Sequence, residues 1–321
     1  MISGIFYWVL NLSIFGSAAG LILLLLRRAR RLPRLGIYML WLLPLYRLCV
    51  PFGVANRYSL MSFVSQFTTK TLIVWEYAPP HWIPDPSWVP DFQGTAANCV
   101  QGAGKYAEGG WFPSEYKTDL LREIFAVGGS VWAAVAAGAV LCSVILYFFT
   151  RNALKDAEHI NGNIYRSDKI ASPAVYGIFR PRIILPKNLD ESNLDYVLMH
   201  EKIHIRRRDN LWRVVAVLIA CLHWFNPLAW IFLKCFFADM ELACDAGVMK
   251  KLDKNKQKAY AGAILSCSAG RTYYASAFGG AKTRLRIENI LSYKKLTLVS
   301  ALCFAALFAM IALAVVTNAV G

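Results

Sequence analysis

The chain has 321 residues, is 57% hydrophobic and only 17% charged, and carries a formal net charge of +15. An ordinary soluble domain is about 25% charged. The composition excludes a disordered chain and a disulfide-stapled miniprotein and disfavours a soluble single-domain enzyme; it describes an integral membrane protein with one sizeable polar part.

The first element in chain order is an uncharged apolar run from Ile5 to Leu26. At about 20 residues per crossing it is long enough to span a bilayer. A cleaved signal peptide is the poorer reading, because no Lys or Arg precedes the run and the small stretch Ser17-Ala18-Ala19-Gly20 sits in its middle. Further apolar runs cover about 35–52, interrupted by Pro44 and Arg47, then about 124–149 and about 296–317. Arg27, Arg28, Arg30, Arg31 and Arg34 lie between the first two runs with no acid among them. The positive-inside tendency places this loop in the cytoplasm and the N-terminus outside. Residues 53–123, with 5 basic and 7 acidic residues, are then outside, and residues 151–295, with 24 basic and 13 acidic residues, are inside. The positive excess faces anionic inner-leaflet lipid, and direct nucleic-acid binding is not expected.

The resulting plan is mainly α. Residues 1–52 hold two transmembrane helices with a basic cytoplasmic loop, 53–123 an extracellular loop, 124–150 the third transmembrane helix, 151–295 a cytoplasmic domain, and 296–321 the fourth transmembrane helix with a short tail. The outer loop interleaves Trp75, Trp82, Trp88 and Trp111 with six prolines, which suits a segment lying at the outer membrane boundary. The eight cysteines are scattered and imply no disulfide framework. Within the cytoplasmic part, Ser172 to Pro186 reads as a β-hairpin that can offer an edge to an extended peptide or serve only for packing.

Residues 200–204 read His200-Glu201-Lys202-Ile203-His204, the H-E-x-x-H pattern. On a helix, positions i and i+4 share a face, so both imidazoles can reach one ion. Zinc suits two neutral imidazoles, a carboxylate and a water, and Glu201 can act as the general base toward that water. A catalytic zinc needs a third protein ligand. Glu241 is the candidate, with Asp245 one turn further on the same face to accept a hydrogen bond from a ligand histidine. Cys244 could compete as a soft ligand but reads as a small buried residue. If His200 and Glu241 share one compartment, the apolar segment 211–237 enters and leaves on the same side. It is then a helical hairpin broken at Trp224-Phe225-Asn226-Pro227, with His223 a core histidine.

Together these pieces resemble the BlaR/MecR family of membrane zinc metallopeptidases, the antirepressor proteins of β-lactam-responsive bacteria. The resemblance rests on the four-span plan, Pro173 to Pro186, His200-Glu201-Lys202-Ile203-His204 followed by Arg207-Arg208-Asp209, Trp224-Phe225-Asn226-Pro227, and Glu241-Leu242-Ala243-Cys244-Asp245. It implies a gluzincin-like α+β metallopeptidase domain in the cytoplasm, with zinc on His200, His204 and Glu241 and with Glu201 as general base. It also implies a multi-pass protein of the bacterial cytoplasmic membrane. Its substrate would be a cytoplasmic protein, a transcriptional repressor by resemblance, and a second copy of the chain is a candidate partner. Ser276-Ala277-Phe278, before the basic Lys282 to Arg286, resembles the family's self-cleavage region. Family sensors carry a penicillin-binding domain after the last span, whereas this sequence ends at Gly321. The expectation is that any signal enters through the outer loop, the spans, a partner or lipid. The competing readings are a quality-control membrane zinc protease and a signalling scaffold with a structural zinc site.

Overall fold

The computed structural model describes residues 2–28, 32–50, 119–268, 283–293 and 297–318, with positions 54, 56, 58–60 and 62. Among these residues, three helical segments are long and apolar enough to cross a membrane: Ile5–Arg27, Ala126–Ala153 and Leu298–Val316. They lie in α1 (Ile2–Arg27), α4 (Asp119–Ala153) and α10 (Leu298–Val316). The last is started by a capping box in which Thr297 and Ser300 satisfy each other's backbone amides. Most of the outer loop, 53–123, falls outside the described residues.

The expected second span differs from a single long helix. It forms α2 (Arg34–Leu40) and α3 (Leu42–Cys49), separated at Trp41. Pro44 has no N–H to donate to the Leu40 carbonyl, which loosens the helix at that point. The pair covers Arg34 to Cys49, about 24 Å at 1.5 Å per residue, against about 30 Å of hydrocarbon.

Burial separates the apolar helices into two kinds. Tyr38, Leu40, Trp41, Leu43, Leu45 and Leu48 of α2 and α3 sit in the main core, against Ala216, Ile219, Phe232, Phe236 and Met240. The apolar windows of α4 and α10 are only 11% and 6% buried. The small stretch inside α1 is a packing seam: a Cβ on Gly20 would stand 2.2 Å from the Phe232 ring, so only glycine admits that ring.

The segment 211–237 does turn back on itself. α6 (Asp209–Leu222) and α7 (Pro227–Met249) meet at a corner where the Asn226 side chain accepts from Leu228 N–H and Pro227 takes the first helical position. His223 is buried there and bonds the Leu48 carbonyl through Nε2 at 2.9 Å.

A four-stranded sheet precedes the H-E-x-x-H helix. Its order is β1 (Glu158–Asn161), β2 (Ile164–Ser167), β4 (Arg182–Pro186), β3 (Ala174–Tyr176). β3 and β4 form the expected antiparallel hairpin, pairing Ala174 with Ile184, Val175 with Ile183 and Tyr176 with Arg182. β2 lies parallel to β4. The β1–β2 hairpin was not legible as strands, because all four β1 residues are exposed and no alternating pattern marks them. Val175, Ile183 and Leu185 pack on Val197 of α5 (Leu194–Arg207), which fixes the sheet against the motif helix.

Candidate metal centre

α5 carries His200, Glu201 and His204, all buried. It ends in a turn so tight that α6 starts two residues later. Arg208 adopts φ 55°, ψ 39°, and is the only described non-glycine residue with positive φ. This left-handed corner folds Asp209 back onto the helix it has just left. α7 then crosses α5 and delivers Glu241, Cys244 and Asp245 to the two histidines. α8 (Lys254–Ser268) adds Tyr260, and α9 (Thr283–Leu291) adds Arg286.

The two imidazoles converge through Nε2, which stand 3.1 Å apart. The Glu241 carboxylate faces both: Oε2 is 3.5 Å from His200 Nε2, and Oε1 is 3.7 Å from His204 Nε2. Each Nδ1 has its own acceptor. His204 Nδ1 meets Asp209 Oδ2 at 2.6 Å. His200 Nδ1 meets the Tyr260 hydroxyl at 2.8 Å, and that hydroxyl donates its only proton to Asp245 Oδ1 at 2.7 Å. Both rings therefore carry the proton on Nδ1 and turn a lone pair inward. Two such lone pairs 3.1 Å apart need a proton or a cation between them. Two nitrogens on one tetrahedral zinc, each at about 2.0–2.1 Å, would stand about 3.3–3.4 Å apart, so the donor set fits a zinc ion.

Asp245 also lies 3.3 Å from His200 Nδ1, so Tyr260 bridges where sequence spacing suggested one direct bond. Arg286 closes this side. Its Nε and Nη2 grip the two Asp245 oxygens at 2.8 and 2.7 Å, and Nη1 is 3.6 Å from Glu241 Oε2. Arg213 donates to Glu241 Oε1 at 2.7 Å. The ligand atoms of His200, His204 and Cys244 also lie within 4.8 Å of one another. The Cys244 thiol is turned to the His200 carbonyl, 3.3 Å away.

Charge explains the titration of the cluster in the metal-free chain. Burial pulls the two histidines down, but the Cys244 thiol beside both, with Tyr260 and Asp245 around His200 and Glu241 and Asp209 around His204, outweighs it and holds both well above 6.5. Burial pushes Glu241 up, and His204 beside it overcomes this and leaves it well below the usual carboxylate range. Arg286 does the same for Asp245. Burial, reinforced by the Glu201 charge and opposed by Arg213, holds the Tyr176 phenol above its ordinary value. That places Glu201 within electrostatic reach of β3.

A cleft of about 350 Å³ opens beside the centre, lined by Val175, Gly177, Phe179, His204, Arg208 and Asn210 among others. The Asn210 amide donates to the Val175 carbonyl of β3 and to the Gly177 carbonyl just past it, both at 3.0 Å, so these two acceptors are already engaged. The sequence singled out His200, Glu201, His204, Glu241 and Asp245; the fold brings His200, His204, Glu241 and Asp245 into contact, with Glu201 buried next to His200 on α5. Ser276, Ala277 and Phe278 lie outside the described residues. Sequence reasoning missed Asp209, Arg213, Tyr260 and Arg286. Only Asp209 carried a signal, in its place just past the motif.

Comparison with known proteins adds a second line of observation. A family model described as BlaR1 peptidase M56 matches residues 7–290. The chain is 41% identical over 103 residues to "Regulatory protein BlaR1" of Bacillus licheniformis, a match covering 31% of this chain and 17% of that protein. It is 29% identical over 106 residues to "Methicillin resistance mecR1 protein" of Staphylococcus aureus, covering 32% and 18%. It is 26% identical over 138 residues to "Regulatory protein BlaR1" of Staphylococcus aureus, covering 40% and 24%. The chain thus spans less than a quarter of the length of each of these relatives.

Proposed function

The chain belongs to the BlaR1 peptidase M56 family, and on that premise we propose that it is a membrane-embedded zinc endopeptidase acting on a cytoplasmic protein. The observation that carries this is the convergence of His200 Nε2, His204 Nε2 and the Glu241 carboxylate beside an open cleft. His200, His204 and Glu241 would hold the metal. Bound zinc supplies Lewis-acid chemistry, polarising a scissile carbonyl and making water a nucleophile near neutral pH. Glu201 would take the proton of the attacking water and pass it to the leaving amine. Asp209 and the Tyr260–Asp245 pair hold the rings in the tautomer that turns the Nε2 lone pairs toward the centre, where Arg286 Nη2 stands 3.4 Å from His200 Nε2. The cleft receives the peptide, and the low exposure of the cluster keeps bulk water away from the carboxylates.

The proposed topology has four passes, with the N-terminus outside and the centre in the cytoplasm. Three long apolar helices and the arginines between the first two runs support it. The α2–α3 pair serves as the second pass, buried among its neighbours. The proposed substrate is a transcriptional repressor, by analogy with the regulatory family. Glu201→Gln should retain zinc and abolish cleavage, read by metal content and by comparing protein fragments in cells carrying either form. Unchanged fragments in the variant would remove the enzymatic reading.

Cys244 favours a second reading, a structural site. Were its thiolate to join His200, His204 and Glu241, all four positions would be closed to water. Cys244→Ala separates the two: zinc binding and cleavage should persist if Glu241 is the third ligand, and zinc should be lost if the thiolate is needed.

A further inference from the structure

The strongest connection beyond the metal centre runs toward the membrane. Asp209 is fully buried and divides its two oxygens. Oδ2 accepts from His204 Nδ1, and Oδ1 accepts the Tyr38 hydroxyl at 3.0 Å. Arg207 brackets the same carboxylate through Nε at 3.2 Å and Nη2 at 2.5 Å, and its guanidinium sits 4.7 Å over the Tyr38 ring. Tyr38 lies on α2, almost wholly buried, and stacks on Phe236 of α7 with 5.5 Å between centroids and 13° between planes. At the junction of α2 and α3, Trp41 Nε1 donates to Asp239 Oδ2 at 2.8 Å. Asp239 also takes Arg27, at the end of α1, and stands two residues before Glu241. One short segment of the apolar region thus touches both arms of the centre: the α5–α6 corner through Tyr38, and α7 through Trp41.

We propose that Tyr38 is a positioning residue for the metal centre, acting through Asp209 on His204, so that its hydroxyl tunes the zinc affinity of the site. This rests on the zinc reading above. A carboxylate behind a ligand histidine fixes the tautomer and the ring angle, and losing such a partner typically costs about 10–100-fold in metal affinity. Tyr38 fixes the plane of that carboxylate and supplies the donor for its second oxygen. Without the hydroxyl, Oδ1 keeps only the longer Arg207 contact while Arg207 still holds Oδ2, so the plane of the Asp209 carboxylate is less tightly fixed against His204. The Tyr38–Phe236 stack needs no hydroxyl, so Tyr38→Phe removes the bond while keeping the packing.

The test uses the full-length chain in detergent, with zinc affinity read by chelator competition and ligand geometry read from the visible absorption of the cobalt(II)-substituted protein. Tyr38→Phe should weaken zinc about 10-fold, at the low end of the range for an outer partner because it acts at one remove, and should shift the cobalt bands. Asp209→Asn should weaken zinc further, and the double variant should equal Asp209→Asn alone, since Tyr38 acts only through Asp209. Trp41→Phe should lower thermal stability and leave the cobalt spectrum in place. Wild-type affinity in Tyr38→Phe, or losses that multiply in the double variant, would overturn the proposal. So would an equal shift in Trp41→Phe, which would mark general loosening. None of these readouts depends on peptidase activity. A failure of Glu201→Gln to stop cleavage therefore counts against the proposed function alone, and wild-type protein that binds no zinc counts against both.

Discussion

The two histidines of the centre are held from opposite directions. His204 is braced on the α2 side by Asp209, Arg207 and Tyr38, and Asp209 follows it by only five residues. His200 is braced on the far side by Tyr260, Asp245 and Arg286, from three other helices. The chemical task is the same on both sides: a buried acceptor on Nδ1 and a lone pair left on Nε2. The α2 flank does it with a sharp local turn and one distant contact. The far flank does it entirely with distant contacts, assembled across residues 269–282, a stretch that contains Ser276 to Phe278. The histidine pair is therefore a point where the seating of the apolar helices and the seating of α9 both act on one donor set.

The far flank should be the costlier to break. Arg286→Ala leaves Asp245 buried with its cationic partner gone. Removing one member of a buried ion pair typically costs about 3–5 kcal/mol, because the remaining charge keeps its desolvation penalty. Thermal unfolding of the detergent-solubilised chain checks this, with Arg284→Ala as the contrast. Arg284 pairs with Glu288 on the exposed face of the same helix and should change stability by less than about 1 kcal/mol. Equal losses in the two variants would mean that the far flank does not depend on the buried pair.

The comparison sharpens with pH. In the metal-free chain both histidines hold their protons more tightly folded than unfolded. Their contribution is fully present below about pH 6.5 and is lost as pH rises through the folded values. Asp245 and Asp209 are shifted down from 3.8, against burial, by Arg286 on one side and by His204 and Arg207 on the other. Their contribution is present above about pH 4 and is lost as pH falls through the folded values. Metal-free protein should thus be most stable in mildly acidic solution. Zinc takes only neutral imidazoles, so its binding releases protons and strengthens as pH rises, by up to about 1.4 kcal/mol per pH unit for each proton released. Melting temperatures with and without zinc should therefore diverge above pH 6.5. Parallel curves would mean that the histidines are not the groups competing with the metal.

The legible part of the site was what a helix repeats. His200 and His204 share a face at i and i+4, and Asp245 follows Glu241 by the same interval. The turn in 211–237 was legible because Asn226-Pro227 stops one helix and starts the next. The second apolar run was legible as apolar, but its break at Trp41 and its place in the core follow from packing that hydropathy does not encode. Asp209 was visible in the sequence without a role, since a continued helix would carry position i+5 off the face of His204. Tyr38, Tyr260 and Arg286 are separated from their partners by tens to hundreds of residues. Nothing local marks them, because each is defined only by the group it meets.

The smallest expected effect concerns the corner that makes the α2 flank possible. Arg208 holds φ 55° so that Asp209 can turn back to His204. A side chain in this region costs about 1–2 kcal/mol relative to the right-handed helix. Glycine carries no such strain but loses about 0.5–1 kcal/mol in chain entropy. Arg208→Gly should therefore stabilise by about 0 to 1.5 kcal/mol and leave zinc affinity unchanged. Arg208→Val meets the same backbone with a branched side chain that resists positive φ. It should push the corner toward a continued helix, swing Asp209 off His204, and weaken zinc as Asp209→Asn does. Chelator competition on the pair reads the difference directly. Equal zinc affinity in both variants would show that Asp209 reaches His204 without the left-handed turn, and the local half of the comparison would fail.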